Sequence, residues 1–110
     1  IEKAAIVAGI IADAMPMSAD AQNTAARLFR QTSAIRLARF HQHKALQADP
    51  DNIDYLLNYA FDMYVDKQPE QSLIILKKAK NLVETGQIKS RQNEYKERIG
   101  FFINKVQQSI

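Results

Sequence analysis

The sequence predicts an all-α chain of about six helices, and three observations carry that expectation. Ala, Leu, Ile, Gln, Lys and Arg dominate, and all but Ile are good helix formers. Apolar residues recur at three- and four-residue spacing, with no alternating run of the kind that marks a strand. Pro16, Pro50, Pro69 and Gly86 fall between the periodic stretches, where chain reversals need them.

The elements follow in order. Residues 1–15 form a short apolar helix stopped at Pro16, with Ala4, Ala8, Ile11 and Ala12 as its stripe and Ile6, Val7, Ile10 and Met15 flanking it. Such apolar width means burial between neighbours or a missing cover. Ser18 or Asp20 caps a second helix, 19–31. Thr32 or Ser33 caps a third, 34–48. Pro50 ends that helix, and Asp51 or Asn52 caps a fourth, 53–66. Pro69 sits in the first turn of a fifth, 70–84, and Thr85-Gly86 supplies the stop. The sixth, 88–109, carries Ile88, Tyr95, Ile99, Phe102, Val106 and Ile110 on one face, widened by Phe101 and Ile103. Gly100 inside it marks a place of close packing.

An internal repeat emerges from these positions. Pro16 and Pro50 lie 34 residues apart, and the same offset aligns Ala4, Ala38 and Ser72, then Ile11, Ala45 and Ala79. Ala26 aligns with Ala60, and Phe29 with Met63. The segment ALQADPDN, a whole helix, a short turn and QSLIILKKAK complete the pattern. This layout resembles the tetratricopeptide repeat, a helix–turn–helix unit of 34 residues. The resemblance covers residues 1–84 and divides a single domain into the end of one repeat (1–16), two repeats (17–50 and 51–84) and a terminal capping helix (85–110). It implies antiparallel hairpins stacked into a right-handed superhelix. Two departures stand out. Gln42 lies where the family has a large apolar residue, and the turn Gln31-Thr32-Ser33 lacks glycine. A helical bundle without a repeat is the alternative architecture.

Composition narrows the function. The chain has 110 residues, 46% apolar and 25% charged, an ordinary balance for one folded domain. It has no cysteine, so disulfides, thiolate metal sites and cysteine catalysis are excluded. IVAGIIADAM is too short to span a bilayer and contains Asp13, so membrane insertion by this segment is not expected. The chain starts at Ile1 rather than Met and reads as a fragment of a longer protein, cytoplasmic or periplasmic.

Nothing in the residues points to catalysis or to a cofactor. His41 and His43 are two apart, so on a helix they point to different sides and cannot readily share a metal. No phosphate-cradling glycine loop or nucleophilic triad motif occurs. The bases of residues 21–48 are followed by an acidic block, Asp49 to Glu70, and no base-stacking motif accompanies them, so nucleic-acid binding is not expected.

The resemblance implies that the first helix of each pair lines a concave groove. Asn23, Arg27 and Arg30 share a face of one such helix, with Asp20. Leu57, Phe61 and Tyr64 share a face of the next, with Asn58 adjacent. The expected site is a basic wall and an aromatic wall holding a protein or peptide with acidic groups. The expected function is therefore a non-catalytic protein-interaction scaffold. The alternatives are a regulatory or assembly domain of a larger bacterial membrane or envelope protein and, less in keeping with the charges, a nucleic-acid binder. The apolar first helix adds self-association as an expectation.

Overall fold

The computed structural model describes residues 1–86 and 91–110. Among the described residues there are six helices and no strand: α1 (Glu2–Ala14), α2 (Ala19–Gln31), α3 (Ile35–Ala48), α4 (Ile53–Val65), α5 (Pro69–Glu84) and α6 (Gln92–Gln108). The all-α class read from the sequence is what the chain adopts. No helix among the described residues is long and apolar enough to cross a membrane. The chain divides into two compact units, Ile1–Tyr55 and Leu56–Ile110.

In the first unit α1 packs on α2 and α2 on α3. The core there is built from Ala5, Ala8, Ala12, Ala25, Ala38 and Phe29. Five of these six side chains are methyl groups, so the helix backbones approach closely and Phe29 fills the remaining space. Three polar side chains are buried beside them: Gln22, His41 and Gln42. Burial of such groups is costly unless they are hydrogen-bonded, and each is. Gln22 Nε2 donates to the carbonyl of Ala12 at 2.9 Å, and His41 Nδ1 lies 2.8 Å from Gln22 Oε1. Arg30 Nη2 donates to Gln42 Oε1 at 3.0 Å, and Gln42 Nε2 donates to Asn23 Oδ1 at 3.1 Å. Two α2 side chains thus satisfy the Gln42 amide, which allows its full burial.

In the second unit Leu56, Leu76, Leu82, Val83, Tyr95, Ile99 and Val106 are buried. Ser72 Oγ donates to the Ala60 carbonyl at 2.7 Å, which requires α4 and α5 to lie close together. Gln92 Nε2 donates to the Val83 carbonyl at 3.0 Å, joining the start of α6 to the end of α5.

Local backbone geometry repeats at the offset of the prolines. Ser18 Oγ accepts from Ala21 N at 3.2 Å, and Asn52 Oδ1 accepts from Tyr55 N at 3.1 Å; both are helix N-caps. Ser33 and Lys67 both have positive φ, 65° and 61°. Around Ser33, the amide of Ser33 donates to Arg30 O and that of Ala34 to Phe29 O; around Lys67, that of Lys67 donates to Tyr64 O and that of Gln68 to Met63 O. The aligned small residues Ala26 and Ala60, Ala38 and Ser72, and Ala45 and Ala79 are all fully buried.

Several sequence expectations are corrected. The buried stripe of α1 is Ala5, Ala8, Gly9 and Ala12, whereas Ala4 is exposed and Ile11 is 49% exposed. Neither Thr32 nor Ser33 caps α3. The helix starts at Ile35 with Ala34 at the cap position, the Thr32 hydroxyl turns back to Phe29 O, and Ser33 takes the left-handed turn conformation instead. Gly100 marks no close approach, since a Cβ there would meet nothing within 4 Å. Of the face expected on the last helix, Tyr95, Ile99 and Val106 are buried, but Phe101 is exposed, and Ile110 is exposed beyond the end of α6. Ile88 and the expected start of that helix lie outside the described residues.

Candidate functional site

The second unit carries an open groove of about 380 Å³ between α4 and α6. Leu57, Asn58, Phe61 and Tyr64 form its α4 wall, and Arg98, Phe101, Phe102 and Lys105 form its α6 wall. Leu57 is buried at the base, and Asn58 and Tyr64 are half-buried. Phe61 and Phe101 remain 41% and 73% exposed, although aromatic rings of this size normally find cover.

The helical pitch explains how each wall is assembled. Positions 57, 61 and 64 share a face of α4 by four- and three-residue steps, and positions 98, 101, 102 and 105 share two turns of α6. The two walls meet where Tyr64 and Phe102 stack edge to face with centroids 6.0 Å apart. Ser109 Oγ donates to the Tyr64 hydroxyl at 3.2 Å and closes that end. The Arg98 guanidinium lies 5.9 Å from the Tyr95 ring on the α6 wall, and Lys105 stands two turns along.

The groove presents ring faces, one amide and two cations. Exposed ring faces accept apolar side chains, the Asn58 amide can pair with a peptide group, and the two cations favour carboxylates. Among the described residues, no group of three or more His, Asp or Glu could hold a metal.

All four expected α4 residues, Leu57, Asn58, Phe61 and Tyr64, come together in this groove. The other three expected site residues lie in the first unit on α2. Arg27 is exposed there, whereas Asn23 and Arg30 are both engaged by Gln42, one accepting from it and one donating to it. That engagement ties part of the basic face to α3. The α6 wall is not among the residues expected from the sequence. Its signal is legible in retrospect: two basic residues seven apart with two aromatics between them, all on one helical face.

His41, the buried member of the histidine pair, stacks on Phe29 with centroids 5.5 Å apart and planes 8° apart. Its Nδ1 is taken by Gln22, so it serves the packing of the first unit. His43 is exposed.

No family model, no curated protein and no solved structure matches the chain.

Proposed function

We propose that this chain is a non-catalytic, tetratricopeptide-like interaction module that binds an extended or helical protein segment. The architecture proposed with it is a right-handed stack of antiparallel hairpins, supported by the caps, turns and buried small residues that recur at the 34-residue offset. The observation that carries the binding role is the α4–α6 groove. Its exposed Phe61 and Phe101 lie beside Arg98 and Lys105 in a cleft with room for a large side chain. The segment it fits has an apolar or aromatic anchor with carboxylates beside it. Aromatic and arginine side chains carry a disproportionate share of binding energy at such surfaces.

The test is a fluorescence-anisotropy titration with labelled peptides that carry one Phe or Leu flanked by Asp or Glu. Sequence-scrambled and Lys-flanked peptides serve as controls. Saturable binding to the acidic set is expected. Phe61→Ala combined with Lys105→Glu should weaken it at least about tenfold, the equivalent of about 1.4 kcal/mol. Equal binding by Lys-flanked peptides, or no effect of the paired substitution, would remove the groove from the role given to it. The expected Arg27 contribution is tested separately by Arg27→Glu, because Arg30 is held by Gln42.

A further inference from the structure

The outward side of α1 is an apolar feature that the groove does not account for. The helix buries a stripe of small residues, Ala5, Ala8, Gly9 and Ala12, against its own unit. Its remaining surface carries Ile6, Val7, Ile10 and Ile11, which are 58%, 54%, 63% and 49% exposed. A helix that carries apolar residues on opposite sides belongs between two neighbours, and within this unit α1 packs on α2.

The charges on this face specify what the second neighbour is. Lys3, Ile6, Ile10 and Asp13 follow each other at three-, four- and three-residue steps and therefore form one stripe along the helix. Lys3 and Asp13 are both exposed. Read in the opposite direction, the stripe becomes acid, Ile, Ile, base. Two copies laid antiparallel therefore set Lys3 against the partner's Asp13, and Ile6 against the partner's Ile10, twice over by symmetry. This is the self-complementarity a two-fold interface requires. A parallel arrangement would instead oppose like charges at both ends, which disfavours it. Two such faces remove on the order of 1,000 Å² from water, the size at which specific interfaces begin. We propose that α1 is a self-association face, on which a second copy of this chain docks antiparallel through Ile6 and Ile10 with Lys3–Asp13 pairs at both ends.

Sedimentation velocity of the 110-residue chain over a wide concentration range tests this. A reversible monomer–dimer equilibrium is expected, since an interface of that size is at the weak end of the specific range. Ile6→Glu with Ile10→Glu should leave only monomer, with helical content unchanged because both side chains point away from the core. Lys3→Asp alone should weaken the dimer about tenfold, because each attracting pair becomes a repelling one. Adding Asp13→Lys to Lys3→Asp should restore the dimer. Monomer at every concentration, a dimer indifferent to the isoleucine substitutions, or failure of the charge exchange to restore association would each overturn the proposal. So would a monomer that co-sediments with phosphatidylcholine–phosphatidylglycerol vesicles, which would assign the face to lipid.

Discussion

Gln22 and His41 lie side by side in the first unit, with 2.8 Å between Oε1 and Nδ1. Because Gln22 Nε2 already donates to the Ala12 carbonyl, its Oε1 must accept, and Nδ1 must carry the proton. One glutamine therefore fixes a histidine tautomer on α3 and satisfies a carbonyl near the end of α1. Burial lowers the His41 pKa below the ordinary imidazole value; the charge of Asp13 opposes this and that of Lys44 adds to it.

The sign of the pH dependence follows. Above pH 6.5 the imidazole is neutral in both folded and unfolded chains, and the stability contributed by the neutral buried form is complete. Below it the unfolded chain binds a proton that the folded chain resists, so stability falls as pH drops from 6.5 towards the lowered folded value. Thermal melting should therefore show a lower midpoint at acid than at neutral pH. His41→Asn keeps a donor near Nδ1 but has nothing to titrate, and should flatten that part of the profile. An identical pH profile in wild type and variant would show that His41 does not titrate differently on folding.

Two helical glycines should respond in opposite directions to alanine. At Gly9 a new Cβ would lie 3.1 Å from Phe29 Cε2 and 3.2 Å from Cζ. The ring is pinned against His41, so the clash outweighs the helix-propensity gain of about 1 kcal/mol. At Gly100 nothing lies within 4 Å, and the same gain is unopposed. Urea denaturation should find Gly9→Ala less stable, and Gly100→Ala more stable by about 1 kcal/mol. Stabilisation by both would mean that Phe29 has room to retreat.

How far the sequence could be read depended on whether a signal was local. α2 has the bounds the sequence predicts, because Ser18 caps it with its own side chain, and Asn52 does the same for α4. The α4 wall was legible because Leu57, Phe61 and Tyr64 stand at helical spacing on a helix with polar breaks. The buried side of α1 was not legible. Nearly every position there is apolar, so periodicity could not choose between Ala5 and Ala4, and the close approach of Phe29 to Gly9 made the choice. Gln42 departs from the repeat expected of the sequence, but its burial depends on Arg30 and Asn23, an arrangement that exists only after folding. The α6 wall was hidden by the contiguous run Phe101-Phe102-Ile103, where three apolar neighbours point in different directions.

The turns at Ser33 and Lys67 pass through left-handed geometry without glycine. A side chain in that conformation costs roughly 1–2 kcal/mol. Glycine removes that cost but adds roughly 0.4–1 kcal/mol of unfolded-state entropy. Ser33→Gly and Lys67→Gly should each raise stability by roughly 0–1.6 kcal/mol, the difference between those two opposing effects. A fall in melting midpoint for either would mean that its side chain makes a compensating interaction in the turn.

Ala60 tests how tightly α4 and α5 are held. It is fully buried, and its carbonyl receives the Ser72 hydroxyl at 2.7 Å, so the two helices have no slack at this level. Ala60→Leu inserts three carbons there and should cost roughly 1–3 kcal/mol through overpacking. Ser72→Ala removes one hydrogen bond from a carbonyl within a helix and should cost about 1 kcal/mol. The two changes are not independent, because separating the helices to admit the larger side chain stretches the same Ser72 bond. The double variant should therefore lose less stability than the two single losses combined, by a coupling of at least about 0.5 kcal/mol. Urea midpoints of the four proteins measure this directly. An unchanged midpoint for Ala60→Leu would mean that the gap between α4 and α5 accommodates a large side chain, and additive losses would mean that Ser72 does not report on it.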